Sequence, residues 1–476
     1  MKMSEHHKMY LAGEFVDRAE QISVESPFDN SPVGTVAAAS QEDFTNAIGA
    51  AQEAFEITRE FPAYKREAVC RLIADDLEKN AESFARMMAL ELGKAIKDAR
   101  AEVSRAIGVF RVSAEEAKRV GGEIIDLDWN AGSEGRIGLL RRFPRGVIGG
   151  ITPFNFPLNL VAHKIGPAIA SGNCIVLKPA SKTPIVALML ARLIDGTDYP
   201  KGAISILPGS GKAAAPLLSD ERVKLITFTG SAEVGWWIKS QAGKKPVVLE
   251  LGGNAGVAVA DDADLEFAST RLMFGAYAVA GQSCISVQRI YIHESIYERF
   301  TAMLIEKTSR LKTGNPLEPA TDIGPLVDDQ SADRTRQFID EALAGGAKLL
   351  CGGTITGRMC EPTLLANVTP SMSLHCREAF APVAIVDRYR DFREVVDKIN
   401  DSEFGLQAGI FTNRMSDIIY AFKRIESGGV IINDVPTYRV DQMPYGGVKS
   451  SGVGREGVRY AIEDMTEPKL LAINPR

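Results

Sequence analysis

Between Val147 and Glu250 short apolar runs alternate with amphipathic stretches, and this alternation restricts the fold more than any other feature of the chain. Val147–Thr152, Cys174–Lys178, Ile204–Leu207, Leu225–Phe228 and Val247–Glu250 are rich in Val, Ile and Leu and read as buried strands. Leu158–Ala170, Pro184–Leu193, residues 212–218 and Ala232–Lys239 fall between them and read as helices. Strand–helix alternation of this kind predicts an α/β fold with a parallel, doubly wound, Rossmann-like sheet. Such sheets bind ligands beyond the carboxyl ends of their strands. Those ends carry Asn155, Lys178, Gly209, Gly230, Ser231 and Glu250.

A second alternating region runs from Asp264 to about Ile432, with helices at 264–280, 295–311, 329–345 and 392–400 and strands at Arg289–Ile292 and 383–388. At 476 residues the chain exceeds what one core usually supports. Residues 8–40 read as short strands, and 41–119 as helices opened by a capping box at Ser40 and Asp43. Residues 124–146 read as a long hairpin, and Lys469–Ile473 as a strand; neither has an evident partner. The expected division is a cofactor-binding domain at 1–123 and 147–250 and a catalytic domain at 251–432. An oligomerisation element at 124–146 and 465–476 and a return segment at 433–464 lining a substrate funnel complete it.

Net charge is −6, which gives no nucleic-acid footprint. No apolar run is long enough for a membrane-spanning helix. The start, Met1 to His7, lacks the apolar centre of a secretory signal and reads as a tail, not a histidine metal tract. The six cysteines are scattered without a CxxC pair, so neither a metal site nor a disulfide framework is expected, and the compartment reads as a reducing cytoplasm.

Chemistry concentrates in two stretches. In Gly281-Gln282-Ser283-Cys284-Ile285 a cysteine follows small residues, so a substrate carbon could reach its sulfur. In Leu249-Glu250-Leu251-Gly252-Gly253 a lone carboxylate stands between leucines, where burial raises its pKa toward that of a base working near neutrality. Cys284 as nucleophile and Glu250 as base is one reading; a structural cysteine is the other. Asn155, between Pro153 and Pro157, is an oxyanion donor or an Asx turn. Gly230-Ser231 opens a helix whose free N–H groups suit a pyrophosphate. Gly209-Ser210-Gly211-Lys212 is no P-loop, because Ala213 replaces the required Ser/Thr.

Taken together, these residues resemble the aldehyde dehydrogenase superfamily over nearly the whole chain. The matching motifs are Pro153-Phe154-Asn155-Phe156-Pro157, Lys178-Pro179-Ala180-Ser181, Phe228-Thr229-Gly230-Ser231, Leu249-Glu250-Leu251-Gly252-Gly253, Gly281-Gln282-Ser283-Cys284, Glu378-Ala379-Phe380-Ala381-Pro382-Val383 and Pro444-Tyr445-Gly446-Gly447. The resemblance implies NAD(P)-dependent oxidation of an aldehyde to an acid. Cys284 would form a thiohemiacetal, hydride would pass to the nicotinamide, and Glu250 would activate water against the resulting thioester. Asn155 would hold the oxyanion. Thr152, Pro153, Lys178, Ser181, Gly209, Gly230, Ser231, Leu251, Glu378 and Phe380 would bind the cofactor. Many members carry Glu where this chain has Ser181, which favours NADP over NAD here, with Lys178 and Lys182 near the extra phosphate. His163 and Arg439, with Arg105 or Arg111, would line the funnel and favour an anionic substrate tail. Ser283 and Ile285 flank the nucleophile; some members that bind phosphorylated aldehydes carry Arg at position 283. The substrates to expect are succinic semialdehyde, a phosphorylated or phosphonate aldehyde, or lactaldehyde. A homodimer or homotetramer is expected. The alternatives are a nicotinamide-independent thioester hydrolase or acyltransferase, and a catalytically silent member.

Overall fold

The computed structural model describes residues 5–474. Met1–Ser4 of the expected tail, and Pro475 and Arg476 of the 465–476 element, lie outside the described residues. The largest sheet has eight strands in the order Gly452–Val453, Val247–Glu250, Val223–Thr229, Val147–Ile151, Cys174–Lys178, Ile204–Ile206, Met9–Leu11 and Glu14–Val16. The five central strands are mutually parallel; Gly452–Val453 and Met9–Leu11 flank them antiparallel, and Glu14–Val16 turns back antiparallel to Met9–Leu11. The central strands are buried on both faces, which is why they read as continuous apolar runs rather than alternating ones.

Strand order reverses beside Val147–Ile151: the chain steps outward to Cys174–Lys178 and Ile204–Ile206, then crosses back to Val223–Thr229 on the other side. The crevice at that switch point is where the loops Thr152–Pro153 and Gly230–Ser231 emerge.

A second sheet has seven strands, ordered Lys348–Cys351, Thr363–Ala366, Val383–Tyr389, Val287–His293, Ala255–Val259, Gln407–Phe411 and Gly429–Ile432. All are parallel except the first. It carries its own apolar cores around Phe300, Leu365 and Ile385, and around Tyr291 and Tyr389.

Several expectations change. The hairpin and the tail strand were read as lacking partners; they pair with each other. Ile137–Pro144 is the middle strand of a three-stranded sheet, between Gly122–Asp126 and Thr466–Ile473. The return segment does more than line a funnel, because Gly452–Val453 joins the edge of the first sheet. The start is not a free tail from Glu5 onward: Glu5–His7 pairs with Pro32–Ala37, His7 is buried, and His6 Nε2 meets Asp17 Oδ1 at 2.7 Å. The helix at 212–218 shrinks to Pro216–Ser219, since proline has no N–H to donate and fits only a helix's first turn. The helix beginning at Ile185 is capped from far away, its Ile185 and Val186 amides donating to the buried Glu91 carboxylate at 2.9 and 3.1 Å. No helix among the described residues is long and apolar enough to cross a membrane.

Candidate active site

A cavity of ≈ 370 Å³ lies between the carboxyl edge of the first sheet and the second sheet. Pro153, Asn155, Gly230, Ser231, Glu250, Leu251, Ser283, Cys284, Ile285, Glu378, Phe380 and Arg439 all line it. Segments far apart in sequence therefore converge on one space.

The stretch carrying Cys284 is set by strained backbone. The helix Leu265–Tyr277 ends early, and Val279, Ala280 and Gly281 all take left-handed φ values of 55, 54 and 64°. Such angles are unfavourable for alanine and more so for a β-branched valine, so tertiary contacts must hold them. Three are visible: the Val279 amide donates to Asp98 at 3.1 Å, Gln282 Oε1 accepts from Val327 N at 2.9 Å, and Gly281 abuts the Ala381 carbonyl so closely that a Cβ would sit 2.1 Å from it. Gly253 is fixed likewise, since a Cβ there would lie 2.2 Å from the Cys284 carbonyl oxygen.

Cys284 Sγ lies 3.1 Å from the Tyr445 hydroxyl. Burial pushes its thiol up to about 12, against the Tyr445 hydrogen bond, which favours the thiolate. The resting sulfur is thus a neutral thiol, and attack requires help in ionising it.

Asn155 Nδ2 donates to the Gln282 carbonyl at 2.9 Å, which leaves the second N–H of the same amide for another acceptor. Its loop is braced by a buried Lys94–Glu102 ion pair: Lys94 Nζ donates to the Asn155 carbonyl at 2.7 Å, and Glu102 Oε1 accepts from the Leu158 and Asn159 amides.

Glu250 ends its strand with both carboxylate oxygens buried and without a hydrogen-bond partner among the described residues. Burial raises its pKa well above the carboxylate range, reinforced by the charge on Glu456 and opposed by Arg439, Lys164 and Arg455. Glu456 keeps the charge of the two because its oxygens hold the cations: Arg439 Nη2 at 2.9 Å and Lys164 Nζ at 3.4 Å. Of two carboxyls sharing a site, the one lacking cations retains the proton. Glu456, Lys164, Lys94, Glu102 and Asp441 were not singled out in the sequence, and Tyr445 entered only as part of the Pro444–Gly447 motif, without a role. A signal existed for Lys164: it is a lone lysine in a helix whose every other residue is buried, which demands a buried partner.

His163 departs from expectation. It does not line the cavity but is buried behind it, its Nε2 2.9 Å from Asp441 Oδ1 and 3.3 Å from Arg439 Nη2. It supports Arg439 and has no access to a ligand in the cavity. Arg439 itself lines the space, stacked 3.7 Å above the Tyr445 ring. Arg105 lines it too, bonded to Asp441 at 2.8 Å, whereas Arg111 faces outward to Glu78.

Of the residues expected to bind the cofactor, Pro153, Gly230, Ser231, Leu251, Glu378 and Phe380 line the cavity, as does Gly252. Glu378 accepts from the Gly253 amide at 2.9 Å, and burial raises its pKa to about 7. Ser231 caps the helix Ala232–Gln241. Thr152, Lys178, Ser181 and Gly209 do not line the cavity but stand along the same sheet edge, with Ile151 and Lys178 in register. Thr152 Oγ1 is buried without a partner, and Lys178 Nζ donates only to the adjacent Pro179 carbonyl, among the described residues. An orphaned hydroxyl, an underused buried ammonium and an open helix N-terminus along one edge fit a dinucleotide with its negative phosphates. Lys182 is drawn away, 3.6 Å from Asp328.

A thiol, a proton-holding carboxyl and an amide donor around one cavity beside a dinucleotide edge define a class: a nucleotide-dependent dehydrogenase that works through cysteine. Residues 15–471 match the Aldehyde dehydrogenase family, and the chain belongs to it, as an NAD(P)-dependent aldehyde dehydrogenase. It is 44% identical over 467 residues to a 3-sulfolactaldehyde dehydrogenase of Priestia aryabhattai, covering 98% of each chain. Among solved structures it is similar to aldehyde dehydrogenase 21 of Physcomitrella patens in complex with succinate, at 43% identity and TM-score 0.97, covering 99% of this chain and 98% of that one. It is also similar to a glyceraldehyde-3-phosphate dehydrogenase of Methanocaldococcus jannaschii complexed with NADP, at 40% identity and TM-score 0.92, covering 96% and 100%.

Proposed function

We propose that this enzyme oxidises a small aldehyde bearing an anionic tail, with Cys284 as nucleophile, Asn155 as oxyanion donor and Glu250 as the base of the hydrolytic half-reaction. One observation carries the substrate reading. Arg105 and Arg439 line the cavity that holds Cys284, and each keeps a buried Nε without a partner among the described residues. Buried guanidinium donors in need of acceptors suit a carboxylate, sulfonate or phosphate. The relatives' names, which include 3-sulfolactaldehyde, glyceraldehyde 3-phosphate and succinate, support it. The Cys284 thiol gives its proton to water in the cavity, its thiolate adds to the carbonyl carbon as the C=O π bond opens, and the free N–H of Asn155 meets the oxyanion. A bound nicotinamide supplies the hydride acceptor. Glu250 then takes the proton of the water that attacks the thioester.

NADP is the preferred cofactor in this reading. A glutamate at position 181 would place a like charge about 4 Å from a 2′-phosphate, at a cost of roughly 1–4 kcal/mol; Ser181 carries none. Its hydroxyl already donates to the Gly209 carbonyl at 3.1 Å, so its contribution is the missing charge rather than a new bond. Lys178, whose pKa burial lowers to about 8, remains mostly charged at neutral pH and gains charge beside a phosphate. The test is kcat/KM for 3-sulfolactaldehyde, succinic semialdehyde, glyceraldehyde 3-phosphate, phosphonoacetaldehyde, neutral lactaldehyde and aliphatic aldehydes, each with NAD and NADP. A preference of about a hundredfold for a neutral aldehyde overturns the anionic reading. A preference of more than about tenfold for NAD overturns the cofactor reading, and Ser181→Glu is expected to move the ratio toward NAD by about tenfold or more.

The chain is also proposed to assemble as a homodimer or homotetramer. Thr466–Ile473 is exposed at every residue but the first, with Leu470 at 49% and Leu471 at 58%, and it leaves one backbone edge open. Ile124, Ile137 and Leu139 add apolar surface to the same small sheet. Sedimentation at micromolar concentration is expected to give the dimer or tetramer mass; a stable monomer sinks the idea. Six free cysteines support a reducing compartment such as the cytoplasm.

A further inference from the structure

We infer that Tyr445 is itself a catalytic residue: its hydroxyl donates to the Cys284 thiolate and sets how much of the nucleophile is ready to attack. This rests on the reading of Cys284 as nucleophile.

The contact is direct, with the phenol oxygen 3.1 Å from Sγ. The tyrosine is buried, and burial holds its own ionisation far above neutrality, so the O–H keeps its proton. Once the sulfur is ionised, a single donor direction remains, from O–H to S⁻.

The ring has little freedom to turn away. Arg439 stacks on one face at 3.7 Å. The Tyr445 backbone is bridged to Glu456 in both directions, at 3.0 and 2.6 Å, and Ile285 and Leu406 pack with it. A phenylalanine would fill the same space and leave the sulfur with no such donor.

The other charges facing Cys284 do not do this work. Glu378 opposes the thiolate, Glu250 does so only when ionised, and Arg439, which favours it, is already paired with Glu456. A carbon-bound sulfur is a much weaker acceptor than a thiolate, so the bond acts on the free nucleophile and fades as the C–S bond forms. Lowering a thiol's pKa also lowers its intrinsic reactivity, but with a Brønsted coefficient near 0.4–0.5 the gain in thiolate wins while the pKa lies above the working pH.

The experiment is alkylation of the whole enzyme by iodoacetamide across pH, with modification at Cys284 followed by mass spectrometry. NADPH binding by fluorescence serves as the check on folding. In Tyr445→Phe the profile is expected to move to higher pH by about one unit, and the rate at neutral pH to fall roughly threefold, with NADPH binding kept. A profile that superimposes on wild type overturns the proposal. Should Tyr445→Phe fail to bind NADPH, 3,5-difluorotyrosine at position 445 decides: its more acidic phenol is a stronger donor and moves the profile to lower pH, and no movement or the opposite movement overturns the role. Activity surviving complete alkylation of Cys284 overturns the nucleophile reading and this proposal with it, whereas a superimposing Phe profile overturns this proposal alone.

Discussion

Cys284→Ala is expected to lose dehydrogenase turnover by at least about 10⁴-fold while binding NADPH as wild type does. The size of the loss follows from the absence of a substitute. Without a sulfur the aldehyde carbon has no nucleophile in the cavity that Asn155 and Tyr445 line. The remaining cysteines belong elsewhere: Cys70, Cys174 and Cys360 are buried, and Cys351 and Cys376 do not line the cavity. Retained nucleotide binding is expected because the residues proposed to hold the nucleotide, Lys178, Thr152, Gly209 and Ser231, belong to the first sheet's edge, while Cys284 sits on the loop that precedes Val287–His293 of the second sheet. Parallel titrations with NADPH and assays with the preferred aldehyde check both halves. More than a trace of turnover in a clean preparation sinks the role of Cys284.

Glu250→Gln is expected to give one rapid equivalent of reduced nicotinamide per active site and then to stall, with steady turnover down by about 10²–10⁴-fold. In the proposed mechanism the thioester still forms, because that half-reaction is assigned to Cys284 and Asn155. It persists because the amide cannot take a proton from water. The sign of the pH dependence follows from the raised pKa of Glu250. Only the ionised carboxylate acts as base, so wild-type deacylation rises with pH through that pKa, and the variant's residual rate loses this dependence. Stability moves differently. A carboxyl whose folded-state pKa is raised loses stability as pH rises through that pKa, and glutamine has no proton to lose. The variant is therefore expected to unfold no earlier than wild type on the alkaline side. Rapid-mixing absorbance and thermal unfolding at several pH values test both; a uniformly slow reaction with no burst points to another base.

That Cys284, Glu250 and Asn155 share one cavity was legible as a proposal because each sits in a local pattern with a chemical meaning: small residues around Cys284, leucines around Glu250, prolines around Asn155. His163 was misjudged because its offset from Asn155 suggested a funnel position, and one helical face cannot be told from another until the helix is docked. In the structure that face meets Asp441 and Arg439 instead. The helix at 212–218 failed for a local reason that Pro216 already carried.

By itself the sequence determined the parallel, doubly wound sheet and which residues stand at the carboxyl ends of its strands; the strand order, and with it the switch point, came from the tertiary structure. Periodicity and turn residues act over a few positions, and buried parallel strands announce themselves as unbroken apolar runs. Only the tertiary structure decided which polar groups meet. Tyr445 on Cys284, Lys164 and Arg439 on Glu456, Glu91 on the helix at Ile185, and the tail strand on the hairpin each join segments with no local relation. A buried charge or an open strand edge demands a partner, but the sequence states only the demand. Which residue meets it depends on how whole elements pack, and that is fixed by the sum of many apolar contacts rather than by any motif.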